Sequence, residues 1–176
     1  MTDILSLKVE ELVSKIKDSQ LTSVEICKKY IERVNEFEKD VKAWVHFNKK
    51  LLLEKAAEAD EHRRSGKPTG PLHGIPVAVK DIIGTLDMPT ECGTVIRKGK
   101  SYSQNAEIID LLLSAGAIVM GKTATSELAF LGPSKTTNPH DYTRTPGGSS
   151  SGSAASVASF MAPLSIGSQT GGSVIR

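Results

Sequence analysis

The segment from Gly147 to Ser173 limits the possible folds more than any other. It is rich in glycine and serine, the composition of a flexible linker. Yet Ala154, Ala155, Val157, Ala158, Phe160, Leu164 and Ile166 are threaded through it. These side chains belong in a core, so the segment has to pack. Four of its six glycines fall in doublets, Gly147-Gly148 and Gly171-Gly172, each directly before a serine, Ser149 and Ser173. Glycine permits positive φ and close approach of a ligand to the backbone. Successive amides in such a turn can face one concavity and hold an anion. The expected structure is two sharp turns joined by an alanine-rich helix over 153–160 and a short strand at 164–166. Each turn presents a hydroxyl beside backbone donors, a setting in which a serine can attack a carbonyl and the amides can hold the developing oxyanion.

The rest of the chain supplies a scaffold for such turns. Leu12 and Ile16 predict a helix over 7–18 with Ser6 as N-cap. Thr22 with Glu25 three residues on forms a capping box, followed by Val24, Cys27, Ile31 and Val34 at helical spacing. A short strand is expected at 43–47 and a third helix at 49–64, closed by Ser65-Gly66 and Pro68. Beyond it the pattern changes. The apolar run Ile75 to Val79 reads as a buried strand ending at Lys80, residues 105–114 as a helix stopped by Gly116, and 117–120 as another strand. Helices followed by β-α-β alternation predict an α/β fold with a largely buried sheet. The helical segment occupies 1–66 and the α/β part starts at 67.

Composition excludes several classes of function. A net charge of +2 with no run of like charge argues against a nucleic-acid or membrane partner. No stretch approaches the roughly 20 apolar residues that span a bilayer. Cys27 and Cys92 have no CxxC spacing, which points to a reducing cytoplasm. His46, His62, His73 and His140 are scattered, read as surface or loop residues, and offer no metal-ligand spacing. The start at Met1-Thr2-Asp3 lacks a leader pattern. The stop at Arg176, inside an apolar glycine-rich stretch, is expected to interrupt a longer protein.

Two familiar motifs occur in the wrong context. Gly116 to Thr123 matches GxxxxGK[ST], but a helix precedes the first glycine and the intervening residues are themselves a strand, so Lys122 is not expected to bind a nucleotide. Gly148-Ser149-Ser150-Ser151-Gly152 matches a GxSxG elbow centred on Ser150, yet neither Asp nor His follows it. Without a nearby histidine, the candidate base is Lys80. At the end of an apolar strand, burial favours its neutral amine, which can take a proton from a hydroxyl. The competing reading is a solvated lysine, or one paired with Asp81.

The strings Gly147-Gly148-Ser149-Ser150-Ser151-Gly152-Ser153-Ala154-Ala155 and Gly167-Ser168-Gln169-Thr170-Gly171-Gly172-Ser173 resemble the two halves of the amidase signature. Pro71 to Asp81 resembles that family's lysine motif, and Ala115 to Thr123 with Glu127 its central helix-strand-loop pattern. The resemblance covers nearly all 176 residues. It implies a mixed central sheet covered by helices with an N-terminal helical layer, and residues 1–176 as the N-terminal part of a single, longer domain. It also implies roles. Ser173 matches the nucleophile that forms the acyl-enzyme, Ser149 the cis-bonded serine that relays protons, and Lys80 the general base. The amides of Thr170, Gly171, Gly172 and Ser173 match the oxyanion hole. The implied activity is hydrolysis of a small-molecule carboxylic amide to acid and ammonia or amine, with neither cofactor nor metal. Oligomeric state is left open, a homo-oligomer included. Two alternatives stand beside it: the A subunit of a glutamyl- or aspartyl-tRNA amidotransferase, and a truncated product without catalysis. Gln169, where transamidase members usually carry Asp, favours the free-standing amidase. Ser151 replaces a common glycine.

Overall fold

The computed structural model describes residues 3–175. After a 3₁₀ turn at Ile4–Ser6 come α1 (Val9–Lys17), α2 (Ser23–Val41), β1 (Trp44–His46), α3 (Lys49–Arg64), β2 (Pro76–Lys80), α4 (Glu107–Ser114), β3 (Ile118–Thr123), α5 (Ser151–Ala158) and β4 (Leu164–Ile166). The strands form one mixed sheet in the order β1-β3-β2-β4, with β1 antiparallel to β3 and the other pairs parallel. The expected α/β class is what the chain adopts. β1, from the helical N-terminal part, closes one edge.

Helices cover both faces of the sheet. On one face α1, α2 and α3 place Leu12, Ile26, Tyr30, Val34 and Leu52 against Trp44, Ala78, Ile118 and Met120. On the other, Ile109 and Leu112 of α4 pack on Val77 and Val79. Alternate residues of β2 therefore serve opposite cores, and all five are buried. A parallel strand covered on both faces has to read as an unbroken apolar run, which is why 75–79 does.

Several boundaries differ from expectation for local reasons. The first helix starts at Val9 because the Ser6 hydroxyl donates back to the Asp3 carbonyl (2.8 Å), while Glu11 accepts from the Lys8 amide (2.7 Å). α4 starts at Glu107 because Asn105 is engaged elsewhere, accepting from the Leu86 amide and donating to Asp110. α5 starts two residues early, at Ser151. The Thr22–Glu25 capping box forms as read, with the Thr22 amide 2.8 Å from Glu25 Oε2. A second cap was not legible: buried Asp60 of α3 accepts from the Ser23 and Val24 amides at 2.7 and 3.1 Å. A carboxylate placed there also complements the positive end of α2.

The GxxxxGK[ST] string resolves as helix stop and strand. Gly116 takes φ 83°, ending α4, and β3 begins two residues later. In the pairing with β2, Val77 faces Val119 and Ala78 faces Gly121, so Met120 is an extra residue in β3. This bulge reverses the alternation and turns Lys122 away from the face of Ile118 and Met120. The buried ammonium lies 3.4 Å from Asp81 Oδ1 and donates to Ile83 O, Pro89 O and Thr90 Oγ1 at 2.9, 3.2 and 2.6 Å. Burial pulls the Lys122 pKa down and raises that of Asp81, and each charge offsets the cost of the other. Lys122→Ala is expected to leave a buried carboxylate without its partner and to cost about 3–5 kcal/mol in denaturant unfolding. Wild-type protein should bind no ATP in calorimetry.

Candidate active site

Lys80 ends β2 with its side chain fully buried. Its Nζ lies 2.7 Å from Ser149 Oγ, 2.9 Å from Ser168 Oγ and 3.0 Å from Ser150 Oγ. The first glycine–serine turn and Ser168, just past β4, therefore converge on one amine. The salt-bridge alternative fails, because Asp81 pairs with Lys122. In the register of the sheet Lys80 faces Thr123 and Lys122 faces Val79, so the lysines leave opposite faces. Thr123 Oγ1 meets Ser153 Oγ at 2.8 Å, which places Lys80 on the α5 side.

Desolvation governs the electrostatics here. Burial lowers the Lys80 pKa from 10.5 to about 8, because the ammonium loses water without gaining a carboxylate. At pH 7 roughly a tenth of the amine is then neutral, a usable population for proton transfer. Among the described residues Ser149 Oγ has no hydrogen-bond partner except Lys80, so its own proton is free to be donated.

Backbone bonds tie the first turn to the loop after β3 and to the second turn. The Ser126 amide donates to Ser149 O (3.2 Å) and the Ser150 amide to Ser173 O (3.0 Å). Gly147 takes φ 82° and the Gly148–Ser149 peptide is cis. Ser149, Thr170, Gly171, Gly172 and Ser173 line one cavity of about 920 Å³ together with Phe130, Leu131 and Pro133. No hydrogen bond joins the Ser173 and Ser149 hydroxyls among the described residues. Such contacts often tighten only around substrate. The Gln169 carboxamide accepts from the Val174 and Ile175 amides at 3.0 and 3.1 Å and so wraps the second turn.

The sequence profile of the amidase family matches residues 25–176. The chain belongs to this family. Among curated proteins, this amidase-family chain is similar to the A subunit of the glutamyl-tRNA(Gln) amidotransferase of Chloroflexus aurantiacus, 39% identical over 180 residues. That alignment covers 99% of the chain and 37% of the relative, so the chain spans little more than a third of that relative's length. Among solved structures, the native peptide amidase of Stenotrophomonas maltophilia superposes with a TM-score of 0.90 at 34% identity, over 97% of this chain and 37% of that one. An amidase family protein from Bacillus anthracis gives 0.88 at 34% identity, over 98% and 37%. The fold predicted from the resemblance is thus the fold observed.

The histidines need correction in part. His73 is buried, with Nε2 2.9 Å from Ala59 O, and His46 sits on β1 with Nε2 3.4 Å from Glu91. Among the described residues none of the four hydrogen-bonds to Ser149, Ser150 or Ser173, and no group of His, Cys, Asp and Glu could hold a metal. Ser150, at the centre of the GxSxG string, donates its hydroxyl to Ser168 O at 3.0 Å. Ser150 and Ser168 as partners of Lys80 were missed. The signals in sequence were the places of Ser150 and Ser168 within the two signature strings, which assign neither of them to Lys80.

Between pH about 8 and 10.5 the folded protein binds fewer protons at Lys80 than the unfolded chain, so stability rises with pH across that window. Lys80→Met should flatten that slope in denaturant melts. The Lys80 resonance of ¹³C-lysine-labelled protein, assigned by its loss in Lys80→Met, should titrate with a midpoint near 8.

Proposed function

We propose that the polypeptide carrying these residues hydrolyses a carboxylic amide through an acyl-enzyme. Ser173 is the nucleophile, Ser149 the proton relay and Lys80 the base. The observation that carries this reading is the 2.7 Å contact between Ser149 Oγ and a buried lysine amine that has no carboxylate partner. Neutral Lys80 takes the Ser149 proton as Ser149 takes that of Ser173, whose oxygen attacks the substrate carbonyl. The oxyanion accepts from amides of the turn Thr170 to Ser173, which borders the same cavity as both serines. The proton then returns through Ser149 to the leaving nitrogen. Water cleaves the acyl ester, with Lys80 and Ser149 relaying its proton back to Ser173. The substrate is a small-molecule amide, and no step calls for a metal or cofactor. Free Cys27 and Cys92 fit a cytoplasmic setting. Among the described residues no helix is long and apolar enough to cross a membrane.

A second reading is favoured by the curated relatives, which are the A subunits of amidotransferases. There the same chemistry would release ammonia for transfer within a complex that uses another protein chain, tRNA and ATP. Gln169 weighs toward the free-standing amidase. Ammonia released from simple amides by the isolated polypeptide supports hydrolysis; release that occurs only with the other chain, tRNA and ATP supports transamidation.

A fluorophosphonate probe should modify Ser173, and Ser173→Ala should abolish both labelling and turnover. Ser149→Ala should slow labelling about 100- to 10,000-fold while the adduct stays on Ser173. An adduct mapped by mass spectrometry to Ser149 or Ser150 would reverse the assignment.

A further inference from the structure

Ser150 occupies the N-cap position of α5, where serine ordinarily accepts from a helix amide, yet its side chain makes no cap. Its hydroxyl is engaged elsewhere, and fully. It accepts from Lys80 Nζ (3.0 Å) and from the Ser168 amide (3.2 Å) and donates its one proton to the Ser168 carbonyl (3.0 Å). The residue is 3% exposed, and its own amide donates to the Ser173 carbonyl (3.0 Å). Gly167 passes directly over it: a Cβ there would lie 2.9 Å from Ser150 Oγ. One serine thus touches the amine, the strand exit at 168 and the backbone of the second turn.

We propose that Ser150 is a positioning residue, whose hydroxyl clamps the Lys80 amine to the Ser168 backbone and reserves the amine's lone pair for Ser149 and Ser168. The inference rests on the reading of Lys80 as base. Counting protons around Nζ shows why. An ammonium has three protons, and three hydroxyl oxygens surround Nζ to accept them. A neutral amine has two protons and a lone pair, so one hydroxyl must turn and donate. Ser150 is barred from doing so, because its proton is fixed on Ser168 O. Among the described residues the Ser149 and Ser168 hydroxyls have no partner but Lys80, so they alone are free to switch. A base whose lone pair could rest on any of three hydroxyls would be held from its relay most of the time. The clamp removes one competitor while still steadying the charged form.

The test is Ser150→Ala, read in two ways that fail separately. In ¹³C-lysine NMR the loss of one acceptor for the ammonium should lower the Lys80 midpoint by about half to one pH unit. In fluorophosphonate labelling the limiting rate at Ser173 should fall about 10- to 100-fold, with the same downward move of the pH–rate midpoint. Ser150→Thr, which keeps the hydroxyl, should restore both. If Ser150→Ala does not fold, the nearly isosteric Ser150→Cys, a weaker acceptor, should show a smaller shift in the same direction. A lower melting temperature with an unchanged Lys80 midpoint would reduce Ser150 to a structural role and overturn the proposal. A shifted NMR midpoint in a protein whose wild type never labels would leave the clamp standing and discard the acyl-enzyme reading instead.

Discussion

A lysine amine sealed among three serine hydroxyls is the interaction on which the remaining structure depends. Placing an amine at the end of a buried strand is costly, and the cost falls mainly on the ammonium. The fold meets it with oxygen acceptors instead of a carboxylate, so the amine is hydrogen-bonded without being held in its charged state. The first glycine–serine turn and the Gly167-Ser168 segment after β4 have to reach the same point, one bringing Ser149 and Ser150 and the other Ser168. That requirement explains why α5 and β4 lie between them: a helix and a parallel strand return the chain to the same end of the sheet.

The neighbouring strand carries a contrasting solution. Lys122 is as deeply buried as Lys80, but Asp81 and three loop acceptors hold it. It ties together the segment 81–90, which leaves β2 directly after Lys80. One buried lysine thus serves as a structural rivet, while the other is left able to exchange a proton. A carboxylate and two backbone carbonyls at Lys122, against three hydroxyls at Lys80, distinguish them, and the bulge at Met120 decides which face Lys122 takes. Without that extra residue the alternation of β3 would direct Lys122 into the core packed by α1, α2 and α3.

Much of this architecture was legible because it is local. The capping box at Thr22, the third helix at 49–64 and the strand at 164–166 match their predicted limits, since each is set by side chains within a few residues. The contacts that escaped notice join distant segments. Asp60 caps a helix that begins 37 residues earlier, and Ser168 meets a lysine 88 residues away. A hydroxyl or carboxylate gives no sign in sequence of which remote partner will satisfy it.

By itself the sequence determined the two-sided burial of β2, the stop at Gly116, the paired glycine–serine turns and the family they resemble. Periodicity and glycine placement express backbone constraints that act over one or two turns of chain. Only the tertiary structure decided which lysine is paired and which is not, that Ser150 and Ser168 join Ser149 around Lys80, and that Ser173 opens on the same cavity. The physical reason is that hydrogen bonding and desolvation depend on what lies within a few ångströms, whatever its number in the chain. Lys80 and Lys122 each follow apolar neighbours in sequence, and folding alone gave Asp81 to Lys122 and hydroxyls to Lys80.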